Sequence, residues 1–230
     1  MSLGHGPSVV TNGLTFMIDA AQGRSYPGSG TAWIDVAGNT TGVISGSPTY
    51  RSTNLGYFTM VPASATRVDF NPSSASINIT NNITLDAWVY PNSYINYGGI
   101  MTYGTGTGEQ YNLGTNTTNS GCFAFSCNYP SAWTFFYGPT SSTSTWYHVA
   151  VTFASGSCNL YLNGALAASG TITPTSLTAV SGAYLVVGNN HPGGQEYFDG
   201  NIAMCRIYNT VLSYQDLLQN FNAHRGRYGI

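Results

Sequence analysis

The sequence contains no lysine, and only 6% of its 230 residues are charged. Ordinary soluble domains run nearer about 25%. The net charge is −2, with no basic run. Nucleic acid is therefore a poor partner, since phosphate binding needs clustered cations. The surface must instead be covered by Ser, Thr, Asn, Gly and Tyr, and it repels its own kind weakly. That suits contact with neighbouring subunits or an extracellular setting. No apolar run approaches the roughly 18 residues of a membrane span, so no membrane insertion is expected. The N-terminus, MSLGHGPSVVTNG, lacks a basic region followed by an apolar stretch. No signal peptide is expected there.

Catalytic groups are equally scarce. Glu109 and Glu196 are the only glutamates, Asp86 is alone on its strand-like run, and no acids stand at i and i+2 on any strand. Glycoside hydrolysis needs two carboxyls facing one bond. No GxSxG nucleophile turn occurs. The four cysteines, Cys122, Cys127, Cys158 and Cys205, form no CxxC pair. That argues against zinc. They read as buried reduced thiols, with a Cys122–Cys127 disulfide across a tight turn as the alternative.

What is present is β pattern. In Trp146–Phe153, Tyr147, Val149, Val151 and Phe153 share one face; Trp146, His148, Ala150 and Thr152 share the other. A four-residue turn, Ala154 to Ser157, leads into Cys158–Leu162, then Asn163-Gly164, the dipeptide that best tolerates a two-residue hairpin. Ala165–Ala168 follows as a third strand. His148 reads as a packed residue. Upstream, Ile83, Leu85, Ala87 and Val89 alternate with Thr84, Asp86, Trp88 and Tyr90, and Pro91 ends the run.

Further strands are expected at Gly13–Asp19, Thr49–Tyr50, Gly56–Met60, Thr66–Phe70, Ala75–Ile79, Gly98–Tyr103, Glu109–Leu113, Cys122–Cys127, Trp133–Tyr137, Ala183–Gly188 and Gly200–Tyr208. Ala20–Asn39 reads as a long connection anchored by Trp33. Only Ser213–Ala223 reads as helix, with Ser213 as N-cap, Asp216 at N3, and an apolar stripe of Leu217, Leu218 and Phe221. Many short strands and one late helix predict an all-β, two-sheet antiparallel sandwich. The organisation expected is an N-terminal arm (1–12), a sandwich domain (13–223) and a C-terminal tail (224–230).

The runs ITLDAWVYP, WYHVAVTF…CNLYLNG and FDGNIAMCRIYNTVLSYQDLLQNF resemble the laminin G-like, or concanavalin A-like lectin/glucanase, jelly-roll domains. The segment GPSVVTNGLTFMIDAAQGRSYPGSGTAWIDVAGN and the closing NFNAHRGRYGI resemble the laminin G-like virion proteins of tailed phages. The resemblance implies a jelly roll with about six or seven strands per sheet. Glucanases of this fold carry two glutamates in an ExDxE-like pattern, which this chain lacks, so no enzyme is expected. Domains of this kind often bind Ca²⁺ at the sandwich rim, which makes Asp19 and Asp199 the metal candidates. Asp35 either joins them or caps the turn before Gly38-Asn39. The chain departs from the family by lacking the Asp of a Phe-Asp-Gly after GYFTM, a position on which a metal site would draw.

Sugar sites combine aromatic platforms with amide and carboxylate hydrogen bonders on loops. The candidates are Trp133, Asn189, Asn190, His191, Gln195 and Tyr197, from the loop GNNHPGGQEYFDG and the segment Asn128–Trp133. The loop Tyr94–Tyr97 adds aromatics. The competing reading is that these rings plug sandwich edges or a subunit interface. The function expected is a non-enzymatic virion structural protein, as capsid decoration or a tail or fibre component. It would be made in the host cytoplasm and would contact other virion proteins and copies of itself. The alternative is a carbohydrate-binding module that meets host-surface glycans.

Overall fold

The structure, a computed structural model, describes residues 7–71, 74–129, 132–190 and 195–230. The first strands are β1 (Leu14–Asp19), β2 (Ala32–Ile34), β3 (Thr41–Ser45), β4 (Thr49–Arg51), β5 (Tyr57–Met60) and β6 (Arg67–Phe70). Next come β7 (Ile83–Pro91), β8 (Gly99–Thr105), β9 (Gly108–Asn116), β10 (Cys122–Tyr129) and β11 (Ala132–Thr140). The chain closes with β12 (Tyr147–Ala154), β13 (Ser157–Leu162), β14 (Ala165–Thr171), β15 (Tyr184–Val187), β16 (Gly200–Tyr208) and α1 (Tyr214–Tyr228).

Two antiparallel sheets result. The first runs β14-β13-β12-β7-β16-β5-β4, with β1 also paired to β16; the second runs β11-β10-β9-β8-β15-β6-β3-β2. Each has eight strands among the described residues, more than the six or seven expected. The additions include short strands that carry little pattern: β2 lies inside the expected connection, and β3 contains Gly42. Trp33 is the anchor anticipated, fully buried with its ring 4.7 Å from that of Phe58.

The core lies between the sheets. Leu85, Val89, Val149, Val151 and Phe153 of one sheet meet Met101, Leu113, Phe123, Phe125, Leu185 and Val187 of the other. Each such burial contributes about 1.5–3 kcal/mol. The alternation predicted for β7 and β12 is therefore correct. All four cysteines are buried and free.

Three local expectations need correction. Ala75–Ile79 is not a strand: Ala75–Ile77 forms a 3-10 turn capped by Ser74. Ile77 and Ile79 both point into the core, so their spacing imitates a strand. Their carbonyls accept from the Tyr111 hydroxyl and the Gln110 amide, each at 2.7 Å. The turn between β12 and β13 is only Ser155-Gly156, both at positive φ (49° and 83°), so the strands run closer to it. The helix passes Ala223 and continues to Tyr228 through the expected tail.

That continuation covers the outer face of the first sheet. The ring of Trp88 stacks on Tyr228 (4.2 Å) and on Phe221 (5.8 Å), while Trp146 meets Tyr228 at 4.5 Å. Beneath the helix lies a buried polar group. The Arg206 guanidinium donates to Asp86 Oδ1 through Nη2 (2.7 Å) and Nε (3.1 Å), and Asn220 Nδ2 donates to Asp86 Oδ2 at 3.0 Å. His148 Nε2 lies 3.0 Å from the same Oδ2, fully buried and packed, as its face suggested. Burial would raise the Asp86 carboxyl, but the charges of Arg206 and His148 outweigh it and hold the group well below the usual carboxylate range. The described part of the N-terminal arm is held by this same helix: Val10 N–H donates to Asn220 Oδ1, and Gln219 donates to the Ser8 carbonyl.

Candidate functional site

The outer face of the second sheet is built differently, because no α-helix covers it among the described residues. On edge strand β11, Phe136 faces the core, so Trp133, Phe135 and Tyr137 face outward. Their rings form a ladder: Trp133 to Phe135 is 6.4 Å with planes 17° apart, and Phe135 to Tyr137 is 5.8 Å with planes 6° apart. Tyr97 leans on the middle ring at 5.2 Å. Trp133 and Tyr97 remain 44% and 39% exposed, high for such large rings.

Beside the ladder is a cleft of about 280 Å³, lined by Tyr97, Trp133, Phe135, Asn190 and Glu196. The segment that brings Glu196 and Asn190 here is tied down by backbone. The Glu196 carbonyl accepts from Gly99 N–H and Asn190 N–H, each at 3.1 Å. Tyr197 bridges to both Gly99 and Asn189. Gly99 is required for this approach, since a Cβ there would overlap the Asn189–Asn190 peptide.

From Phe135 a row of register partners runs into the sheet: Phe135 opposite Ser126, Ser126 opposite Asn112, Asn112 opposite Thr102. Hydrogen bonds run along it. Thr102 Oγ1 donates to Asn112 Oδ1 (2.7 Å), Asn112 Nδ2 to Ser126 Oγ (3.1 Å), and Ser126 Oγ to Glu109 Oε1 (2.5 Å). Glu109 is fully buried. Burial pushes its carboxyl up to about 8; the Ser126 hydrogen bond offsets part of this, and the charge of Glu196 adds to it. Glu109 is thus mostly protonated at neutral pH. Asn190 Oδ1 is buried with no hydrogen-bond partner among the described residues. A buried acceptor in that state gains from a donor brought by a ligand.

A second, more open cleft of about 340 Å³ lies at one end of the sandwich, lined by Asn92, Ser93, Tyr94, Thr117, Ser120, Gly121 and Thr143. The turn holding Thr117–Gly121 is bonded to the end of β11: Asn119 Nδ2 donates to the Gly138 carbonyl, and Thr140 Oγ1 to the Asn119 carbonyl.

Of the sugar-site candidates, Trp133 and Asn190 line the first cleft. Asn189 is buried behind it, its carbonyl accepting from Thr102. Tyr197 is half-buried, and Gln195 is exposed. His191 lies outside the described residues. Of the other lining residues, Tyr97 falls in the aromatic loop Tyr94–Tyr97 and Glu196 in the loop GNNHPGGQEYFDG, both expected to contribute, whereas Phe135 was not anticipated. Phe135 was legible as the middle of an i, i+2, i+4 aromatic series; Glu196 depended on how its loop folds back.

The two metal candidates are held apart. Asp19 stands opposite Met204 in the middle of β16, whereas Asp199 precedes that strand. Five residues of strand separate those positions, roughly 17 Å. Asp19 makes a two-point ion pair with Arg227, at 3.1 Å to each oxygen. Asp199 accepts from Ser93 (2.6 Å) and Asn92 (3.4 Å). Asp35 accepts from the N–H groups of Met17, Ala37 and Gly38 and from Thr40, which makes it a turn cap. A Ca²⁺ ion needs six or more converging oxygens. These side chains do not fit it, and no group of three or more potential ligating side chains occurs among the described residues.

The sequence profile of the Concanavalin A-like lectin/glucanases superfamily matches residues 62–217. The chain belongs to this family. Comparison with curated proteins gives no match. Among solved structures, Domain 4 of AbnA, a GH43 extracellular arabinanase from Geobacillus stearothermophilus, in complex with arabinotriose, is similar at TM-score 0.65 and 17% identity, covering 91% of this chain and 98% of that one. Trypanosoma rangeli sialidase gives 0.64 at 16% identity, covering 96% of this chain and 34% of its own. The binding domain of Botulinum Neurotoxin DC in complex with SialylT gives 0.68 at 13% identity, covering 92% and 51%. The chain thus spans about half of that binding domain and a third of the sialidase. At these identities the likeness is one of fold.

Proposed function

We propose that this chain is a non-enzymatic carbohydrate-binding adhesion module carried on a phage virion, and that the cleft beside β11 is its glycan site. The observation that carries the reading is the cleft itself. It sets solvent-facing rings of Trp133, Tyr97 and Phe135 against the amide of Asn190 and the carboxylate of Glu196. Sugars offer an apolar C–H face to rings and hydroxyls to amides and carboxylates. Two structural relatives of this fold were solved with sugar-named ligands, arabinotriose and SialylT.

The non-enzymatic part is supported by the placement of the only two glutamates. Glu196 lines the cleft, but Glu109 is fully buried behind Ser126 and offers no carboxyl to a bond in the cleft. The virion part is supported by the resemblance of the two terminal segments and by the low surface charge. On the particle the module would act as capsid decoration or as a tail or fibre component, in contact with other virion proteins and further copies of itself.

A glycan array probed with the whole chain tests the binding role. Specific binding that Trp133→Ala abolishes supports it; an array blank at high protein concentration opposes it. Mass spectrometry of purified particles from a phage encoding the chain tests the location, and absence of the chain from those particles would remove that element.

A further inference from the structure

We propose that the buried row Glu109, Ser126, Asn112 and Thr102 positions one side of the cleft: the direction of its hydrogen bonds decides whether Thr102 holds the Asn189 carbonyl to the sheet. Any consequence for ligand affinity rests on the glycan-binding reading above; the positioning itself does not.

The segment in question carries Asn190 and Glu196 into the cleft. Its two sides are joined by backbone bonds: Asn190 N–H donates to the Glu196 carbonyl (3.1 Å), and Phe198 N–H to the Gly188 carbonyl (3.0 Å). Thr102 of β8 ties this segment to the sheet, with Oγ1 3.1 Å from the Asn189 carbonyl oxygen. The same Oγ1 lies 2.7 Å from Asn112 Oδ1. A hydroxyl has one hydrogen to give. Thr102 therefore serves one acceptor at the expense of the other.

The far end of the row decides which. An ionised Glu109 can only accept. Ser126 then donates to it, Asn112 Nδ2 donates to Ser126, and Asn112 Oδ1 takes the Thr102 hydrogen. A protonated Glu109 reverses the row. Its hydroxyl donates to Ser126, and Ser126 passes its own hydrogen to Asn112. The Asn112 amide turns over, presenting Oδ1 to Ser126 and Nδ2 to Thr102. The Thr102 hydrogen is then released to the Asn189 carbonyl. Every side chain of the row is bonded in both directions; only the bond to Asn189 is gained or lost.

The site is built to hold the proton. Glu109 is fully buried, and its Oε2 has no hydrogen-bond partner among the described residues. A buried carboxylate with a single hydrogen bond is costly, and burial pushes this one up to about 8. Other titratable groups face it from the neighbouring elements. β10 brings the Cys127 thiol, pushed up to about 12 by burial and by Glu109. β8 brings Tyr103, raised by burial and stacked on Tyr111 of β9, which is raised too. The segment brings Glu196. Arg67 of β6 pairs with Asp69 and bonds the Tyr197 side chain next to Glu196. Cys127, Tyr103 and Tyr111 keep their protons where Glu109 loses its own.

Hydrogen–deuterium exchange of the whole chain, without ligand, tests the relay. Rates are corrected for the intrinsic effect of pH. From about pH 6 to about pH 9, the Asn190 and Phe198 amides should lose about fivefold in protection, the worth of one hydrogen bond, and more than the β12 amides of the other sheet. Glu109→Gln supplies a permanent N–H donor to Ser126, so protection should stay high at every pH. Thr102→Val should give the low value at every pH, and Thr102→Ser should restore the wild-type profile. Protection of the segment that is flat with pH in wild type would overturn the proposal. So would an equal fall in β12, or the same fall in Glu109→Gln. A blank glycan array would remove the binding role and leave the relay to stand or fall on exchange.

Discussion

Phe135 and Ser126 face each other across β11 and β10, and each does a different job on the same face of the sheet. Phe135 forms a wall of the cleft, while Ser126 relays a hydrogen bond from Asn112 to the buried carboxyl of Glu109. The exposed aromatic edge and the buried polar row are therefore one register-locked unit. Its geometry follows from strand pairing, whereas Tyr97, Asn190 and Glu196 depend on loops.

That loop dependence gives the first prediction. Gly99 touches the Asn189–Asn190 peptide so closely that a methyl group has no room. Gly99→Ala should push the segment away, displacing Asn190 and Glu196 while the aromatic ladder stays. Ligand affinity should fall about tenfold or more with the sheet core still folded. Titration calorimetry alongside thermal denaturation checks this; unchanged affinity in a folded variant would contradict it.

The buried polar row predicts a pH dependence of stability. Burial pushes the Glu109 carboxyl up to about 8 in the folded chain, against about 4.3 for an unperturbed glutamate. The folded chain therefore binds more protons than the unfolded one between those values. Its stabilising contribution is complete below the unfolded pKa and is lost as pH rises through the folded one. Glu109→Gln should lose this dependence. Relative to the variant, the wild type should lose up to about 1.4 kcal/mol per pH unit across the window. Urea denaturation of both proteins over that range reads the difference; curves that stay parallel would oppose the assignment.

The helix side makes a separate prediction. Asp86 is the carboxylate that Arg206, Asn220 and His148 converge on, and it is fully buried. Asp86→Asn leaves the Arg206 guanidinium buried without its counter-charge. Removing one partner of such a pair costs about 3–5 kcal/mol. Denaturant midpoints should record a loss of that order, and a loss under about 1 kcal/mol would show the network to be loosely solvated.

Much of this was legible in the sequence, and the failures have physical causes. Alternation in Ile83–Pro91 and Tyr147–Ala154 marked the core-facing side correctly, because strand period does not depend on neighbours. What covers the other side is tertiary. Nothing local in HRGRYGI says that Tyr228 stacks on Trp88, 140 positions earlier in the chain. In the same way, Ile77 and Ile79 look like a strand because both are buried, yet side chains from β9 take their carbonyls. At the candidate site, Trp133 and Asn190 were found by chemistry alone. Phe135 was legible only through the alternation of Trp133, Phe135 and Tyr137, because its neighbour Phe136 offers a second ring and only one of the two faces the core. Asp19 showed the opposite error. It was placed at the sandwich rim by strand end and residue type, but its partner is Arg227 on a helix that was expected to have ended.

The most direct test of the account is affinity electrophoresis of wild type, Trp133→Ala and Phe135→Ala on the polysaccharide that retards the wild type most. Each truncation removes a cleft wall without touching the sheet core. The account predicts that both variants melt within a few degrees of wild type and lose about tenfold or more in affinity. Retention of full affinity by both folded variants would contradict it and move the site elsewhere on the sandwich.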